Sequence, residues 1–328
     1  MRAETGSGEV LRFDGKVAVV TGAGKGLGRA FAMALAERGA AVVVNDIARA
    51  GAVEGGAAAG QPRYQAVEVV EAIIAKGGRA KANLGSVADA DGAASIVDDA
   101  LSEFGRIDIV INNAGCLLLG PFETLPIEHL MTTFGVHVKG AFQILQRAWP
   151  HMRQQGSGHV LNVCSVGGNV FGSMNHAAYD TAKGALAGLT RSLALEGELY
   201  GIKVNGLFPG AFTEMVKKAI KSVDQSISPN LEIDMRPELV APTACWLVHE
   251  ECGLTGTFFA SSSGRLGRVY PAVAAGFQDQ PELFSMERIR ENRGLAHGME
   301  PFTSPPTAQD FNKWRTGLFR EMRQRTAG

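Results

Sequence analysis

The chain has 328 residues, of which 45 % are hydrophobic and 20 % charged, and its formal net charge is -1. That composition supplies one large core or two modest ones, and the even charge balance gives no electrostatic case for nucleic acid or an acidic membrane as a partner. Cys116, Cys164, Cys245 and Cys252 form no CxxC pair and have no companion ligand pair, which argues against a metal site and for reduced thiols.

No stretch is apolar for long enough to span a bilayer. Met1 to Gly8 lacks an apolar run and the last residues are Thr326-Ala327-Gly328, so a cytoplasmic location is the expectation.

After a polar tail, residues 1–10, Lys16-Val17-Ala18-Val19-Val20-Thr21 reads as a buried strand. Thr21-Gly22-Ala23-Gly24-Lys25-Gly26-Leu27-Gly28 follows and leads into an alanine-rich helix, Arg29 to Arg38. Strand, glycine turn and helix together suit a pyrophosphate, because glycines admit close approach and the amides at a helix start favour negative charge. The spacing departs from G-x-G-x-x-G and fits T-G-x-x-x-G-x-G. The strand Ala41 to Asn45 ends at Asp46, where a carboxylate can take both ribose hydroxyls of an adenosine and repel the extra phosphate of NADP. NAD is therefore expected over NADP. Lys25 argues the other way, and Asp46 capping the next turn is the bland alternative.

Residues 47–62 read as a Gly/Ala-rich loop. A helix (Tyr64 to Lys76), a strand (Arg79 to Asn83), a helix (Val87 to Phe104) and a strand (Ile107 to Ile111) then alternate as in an α/β protein with a doubly wound parallel sheet. The last strand runs into Asn112-Asn113-Ala114-Gly115, with a structural role expected for Asn112 and a cofactor wall for Asn113, Ala114 and Gly115. Glu128 to Gln155 reads as one long helix whose stripe Phe134, Val138, Phe142, Leu145 and Trp149 is expected in the core.

The strand Val160 to Cys164 delivers Ser165, and further on Tyr179 and Lys183 lie four apart, on one face of a helix. A free phenol is only about 0.1 % ionised at pH 7, and a neighbouring ammonium favours phenolate. The pair can therefore make a base, or be a solvated surface pair. Asn175 and His176 could line a pocket or form a polar loop. The strand Ile202 to Phe208 ends at Pro209-Gly210, and residues 214–237 suit a substrate lid. Lys217, Lys218 and Lys221 could meet CoA phosphates or form a solvated face. Phe311, Trp314, Leu318 and Met322 recur at helical spacing near the end.

Taken as an ordered set, Thr21-Gly22-x-x-x-Gly26-x-Gly28, Asn112-Asn113-Ala114-Gly115, Ser165, Tyr179-x-x-x-Lys183 and Pro209-Gly210 resemble the short-chain dehydrogenases/reductases. The resemblance covers about Leu11 to Ser263. It implies a single Rossmann-type domain over 11–263, a C-terminal extension over 264–328 serving as lid or subunit contact, and hydride transfer between a nicotinamide and a carbinol or carbonyl carbon. It also implies roles: Tyr179 as acid/base, Lys183 lowering its pKa and binding the nicotinamide ribose, Ser165 bonding the substrate oxygen. Cofactor contacts are implied for Thr21, Gly22, Gly26, Leu27, Gly28, Asp46, Asn113, Ala114, Gly115, Tyr179, Lys183, Pro209, Gly210 and Thr213, the last at the carboxamide. A homodimer or homotetramer is implied through the 128–155 helix and the Tyr179 helix.

Three departures stand out. His137 occupies the place of an asparagine in a helix motif N-x-x-G and is either a proton-relay member or a core histidine. The Ser165 to Tyr179 spacing is one residue longer than usual. Asn83-Leu84-Gly85 lacks the aspartate usual near the adenine. Leu11 to Lys16, Val44-Asn45-Asp46, Val136 to Gly140, Arg147-Ala148-Trp149 and Trp246 to Glu250 further resemble the dehydrogenase units of peroxisomal multifunctional enzymes of type 2, which implies an acyl-CoA substrate, (3R)-hydroxyacyl-CoA oxidised to 3-ketoacyl-CoA. The alternatives are a steroid or other bulky secondary alcohol or ketone, and a non-catalytic dinucleotide sensor.

Overall fold

The structure is a computed structural model and describes residues 10–48, 64–221 and 235–326. Strands β1 (Val17–Val20), β2 (Ala41–Asn45) and β4 (Ile109–Asn112) are buried at every position, as expected when both faces of a sheet are covered. Side chains alternate between faces along a strand. Ala18, Val20, Val42 and Val44 accordingly enter one core with Phe31 and Leu35 of α1 (Gly26–Glu37) and Val69 and Ile73 of α2 (Gln65–Ala75). Val17, Val19, Ala41 and Val43 enter the other, with Ile96 and Val97 of α3 (Ala90–Phe104) and Ile144 and Leu145 of α5 (Gly140–Gln155). Each buried Val, Leu or Ile contributes about 1.5–3 kcal/mol, so these two cores dominate the stability.

With β3 (Arg79–Asn83), β5 (Gly158–Val163), β6 (Ile202–Gly210), β7 (Phe258–Ser262) and β8 (Arg265–Val269), the sheet order is β3-β2-β1-β4-β5-β6-β7-β8. All pairs from β3 to β7 are parallel. This is the doubly wound, Rossmann-type sheet. The order reverses between β1 and β4, and the crevice at their carboxyl ends is where such sheets bind ligands. The glycine turn leaves β1 there and Asn113-Ala114-Gly115 leaves β4.

The expected long helix of 128–155 is an unbroken run with an internal change of pitch: α4 (Ile127–Phe134), a π turn over Gly135–Lys139, then α5. A π turn inserts one extra residue per turn and rotates everything beyond it. The stripe is therefore not uniformly core. Leu145 is buried, whereas Phe134 is 39 % and Phe142 50 % exposed. The helix expected from Val87 starts at Ala90. The loop expected over 47–62 and most of the expected lid lie outside the described residues; of the latter, α7 (Glu214–Lys221) and residues 235–237 are described. Helix α6 (Ala177–Glu198) follows β5, and α8 (Ala241–Leu247) precedes β7.

Two compact units divide the chain, residues 1–268 and 269–328. In the second, β9 (Val273–Ala274) pairs antiparallel with β10 (Phe302–Thr303), and α9 (Met286–Glu291), α10 (Arg293–Ala296) and α11 (Ala308–Thr326) complete it. Phe311 and Trp314 touch with ring centroids 5.8 Å apart, on the expected stripe with Leu318; the Met322 side chain lies outside the described residues. None of the described residues of this unit is buried. Among the described residues, no helix is long and apolar enough to cross a membrane.

Candidate active site

The glycine turn is fastened to β4 by two side chains. Buried Thr21 accepts from the backbone amides of Asn113 and Ala114, both at 3.0 Å, while Asn113 Nδ2 donates to the carbonyls of Thr21 (2.9 Å) and Gly22 (3.0 Å). A Cβ on Gly28 would lie 2.3 Å from the Gly22 carbonyl oxygen, so α1 meets the turn too closely for any side chain. Gly26 has φ +54°, and a Cβ there would reach within 3.5 Å of the Thr213 methyl, filling the gap between the turn and the segment after β6. Helix α1 begins without a side-chain cap and without an acid in its first turn. Its orphan amides are thus available to an anionic group, and the space before them is kept open by glycine. These residues fit a dinucleotide phosphate.

Asp46 faces the same turn. Its carboxylate accepts from the Gly24 amide at 3.0 Å and the Ile47 amide at 2.9 Å, so it holds the turn's outer strand, and Lys25 is exposed. The Asn83 side chain turns inward, donating to Asp99 (2.7 Å) and Ser95 (3.2 Å) and accepting from Asn45 (3.0 Å). It is structural. Leu27 packs against the first core. Pro209 and Gly210 pair with Ser261 and Ser262 at the end of β6. Lys217 pairs with Glu214 at 3.3 Å and lies over Phe212; the side chains of Lys218 and Lys221 lie outside the described residues.

Across the crevice, β5 ends at Ser165 and α6 presents Tyr179 and Lys183. An amide ladder sets their height. Asn112 and Asn162 are register partners on β4 and β5; Asn112 Nδ2 donates to Asn162 Oδ1 at 2.9 Å, and Asn162 Nδ2 donates to Thr190 of α6 at 2.9 Å. Buried Lys183 donates to the Val163 carbonyl at 2.5 Å and lies 5.7 Å from the Tyr179 ring centroid. Burial pulls the Lys183 ammonium down to about 8. Burial also pushes the Tyr179 phenol up to about 12, and the neighbouring Ser165 hydroxyl is the group that draws it back. Burial thus dominates the phenol, and Lys183, expected to lower it, is not among the groups that do so. Ser165 Oγ accepts from the Gly167 amide at 3.1 Å, leaving its own hydrogen for another acceptor.

His137 sits on the π turn with its ring edge-on to Tyr179, centroids 5.5 Å apart and planes at 88°. Its Nε2 is bonded to the Cys116 backbone, 3.1 Å from the amide and 2.9 Å from the carbonyl, while buried Nδ1 has no partner. A Cβ on Gly115 would fall 2.4 Å from the His137 ring; Gly115 is therefore required by the histidine beside it. Burial, with the Lys183 charge second, lowers His137 to about 3, so the ring is neutral. His176 also meets Tyr179 edge-on at 6.3 Å, and the Asn175 carbonyl accepts from the Gly120 amide at 3.1 Å. Of the two, His176 thus lies beside Tyr179.

Sequence reasoning missed Asn162, Thr190 and Asn169, which donates to the carbonyls of Ser165 and Lys183. Buried strand-end amides in register were the available signal for Asn162 alone. Among the described residues, no group of three His, Cys, Asp or Glu side chains could hold a metal ion.

The profile of the short chain dehydrogenase family matches residues 16–224. Peroxisomal multifunctional enzyme type 2 of Mus musculus is 36 % identical over 302 residues, which is 92 % of this chain and 39 % of that protein. A putative short-chain type dehydrogenase/reductase of Mycobacterium tuberculosis is 42 % identical over 270 residues, 82 % of this chain and 90 % of that one. The structure of full-length peroxisomal multifunctional enzyme type 2 from Drosophila melanogaster superposes with a TM-score of 0.78 at 28 % identity, covering 95 % of this chain and 51 % of that one. The chain thus spans well under half the length of its mouse relative. With the glycine turn, the strand-end asparagines and the Ser165–Tyr179–Lys183 cluster in one crevice, the chain belongs to the short-chain dehydrogenase family, oxidoreductases that use a nicotinamide cofactor on CH–OH groups of small molecules.

Proposed function

We propose that this chain is an NAD-dependent dehydrogenase that interconverts (3R)-hydroxyacyl-CoA and 3-ketoacyl-CoA. The observation that carries the catalytic part is the placement of Lys183 Nζ 5.7 Å from the Tyr179 ring centroid, with Ser165 at the end of β5 beside them. When bound, the cofactor supplies or accepts the hydride at its nicotinamide C4. Ser165 holds the substrate oxygen, and Tyr179 gives that oxygen a proton on ketone reduction or removes it on alcohol oxidation. Lys183 supplies the positive charge that favours phenolate and a donor for the nicotinamide ribose. A phenol held up near 12 is protonated at neutral pH, so the resting site is set for reduction, and oxidation quickens as pH rises.

His137 serves as a neutral clamp on the Cys116 main chain beside Tyr179, because a group lowered to about 3 carries no proton at neutral pH. Thr21, Gly22, Gly26, Leu27 and Gly28 cradle the pyrophosphate. Asn113, Ala114 and Gly115 form the wall, and Pro209, Gly210 and Thr213 close the far side. The charge of Asp46 at the glycine turn supports NAD over NADP. The acyl-CoA reading rests on the likeness of residues 11–16, 44–46, 136–140, 147–149 and 246–250 to hydroxyacyl-CoA dehydrogenase units. Exposed Phe134 and Phe142, with Leu195 of α6 and Leu199 just after it, support a homodimer or homotetramer through these helices.

The test is a substrate panel of (3R)-hydroxydecanoyl-CoA, a hydroxysteroid and an aromatic secondary alcohol, each with NAD and NADP. Turnover of the acyl-CoA with NAD is expected. A hydroxysteroid turned over in its place would reassign the substrate, and NADH binding with no turnover of any panel member would make the chain a sensor.

A further inference from the structure

Asn169 lies in the loop between Ser165 and Tyr179, the loop that is one residue longer than the family's usual spacing. Its Nδ2 donates to the main-chain carbonyl of Ser165 at 2.8 Å and to that of Lys183 at 3.2 Å. Both partners are pure acceptors, so only an NH2 group serves; an oxygen facing the same two carbonyls would repel both. The remaining bonds of this loop do something else. Gly167 donates to Ser165 Oγ, Gly168 to the Phe171 carbonyl at 2.9 Å, and Ser173 to Asp180 Oδ2 at 2.9 Å. These close the loop on itself or on the start of α6. Asn169 alone among the described loop side chains joins the strand end carrying Ser165 to the helical turn carrying Lys183.

We propose that Asn169 is a positioning residue that sets the separation of Ser165 from Tyr179 and Lys183 by bridging the Ser165 and Lys183 carbonyls. The proposal rests on the catalytic assignment of those three residues. Ser165 is the group that draws the phenol down from its burial-raised value, so a Ser165 set loose from α6 no longer does so. The consequence is a change in proton affinity at Tyr179, which a purely structural loop tether would not produce.

The experiment compares the parent with Asn169→Ala, the isosteric Asn169→Asp, and Tyr179→Phe, using (3R)-hydroxydecanoyl-CoA with NAD. Expected for Asn169→Ala is a kcat lower by about 10- to 100-fold, the scale of a small misplacement, with the alkaline limb of the kcat profile moved up by about one pH unit and the Kd for NADH unchanged. Asn169→Asp should lose more, since a carboxylate faces the two carbonyls, and retention of the NADH Kd shows that either variant is folded. Unchanged kcat and pH profile in both Asn169 variants, with Tyr179→Phe inactive, would overturn the proposal and leave the catalytic assignment standing. Turnover by Tyr179→Phe, or none by the parent, would overturn both.

Discussion

Gly115 and His137 show how a single contact couples the crevice wall to Tyr179, the proposed proton-transfer group. A methyl on residue 115 would press on the imidazole at 2.4 Å, and that ring is edge-on to Tyr179. Gly115→Ala should therefore lower kcat more than it weakens NADH binding and destabilise the fold by about 1–3 kcal/mol, as overpacking does. His137→Asn in the same chain should restore much of both, because the smaller side chain leaves room; failure of the double variant to recover would show that the glycine is needed for another reason. Tyr179→Phe should abolish turnover while leaving NADH binding intact, read by fluorescence titration. At this scale the candidate site was legible, because Tyr179, Lys183, Ser165 and the glycines are recognisable by type and spacing. Asn169 was not, since a side-chain amide bonded to two backbone carbonyls leaves no periodic trace in a sequence.

Strands and helices were read from apolar patterns, and the patterns held wherever both faces of the sheet are covered. The π turn escaped because one inserted residue alters the phase of a stripe without altering its composition. Phe134, before the turn, and Phe142, beyond it, are exposed, while Leu145 is buried. The link between sheet and α6 is testable as an element property. Asn162→Ala removes the middle of the Asn112–Asn162–Thr190 ladder and leaves the Asn112 amide unpaired in the core, while Thr190 keeps its bond to the Leu186 carbonyl. A loss of about 1–3 kcal/mol in urea unfolding is expected, the cost of one orphaned group. A loss below about 0.5 kcal/mol would mean the ladder does not hold α6 to the sheet.

For the whole molecule, buried histidines set the acid limit. His137 is lowered to about 3 and His159 to about 4, each mainly by burial, from an ordinary value of 6.5. The unfolded chain binds these protons first, so the stability from keeping both rings neutral is full above pH 6.5 and is lost as pH falls toward 4 and then 3. Each ring costs about 1.4 kcal/mol per pH unit in that window. Urea midpoints should drop steeply below pH 6 (about half a unit under the ordinary histidine value), and His159→Gln should flatten the slope. Lys183, lowered to about 8, acts in the same sense at alkaline pH, with stability gained between 8 and its ordinary 10.5. Among the described residues, all buried ones lie in the unit 1–268. Ending the chain at residue 268 should thus leave the thermal midpoint of that unit within a few degrees, measured by circular dichroism, whereas a loss of cooperative unfolding would show that the second unit is part of its core.

The uncapped start of α1 has a thermodynamic corollary. A helix that lacks a side-chain cap and first-turn acid reaches its most stable form only when something outside the chain occupies its amides. Occupancy of the crevice and rigidity of the β1–α1 unit are then one equilibrium viewed from two ends. Saturation at a hundred times Kd adds about 2.7 kcal/mol to the folded state. In amide exchange, the glycine turn and first turn of α1 should gain protection with NADH, and pyrophosphate alone should reproduce part of that gain. The cofactor is, in this sense, the missing residue of the helix.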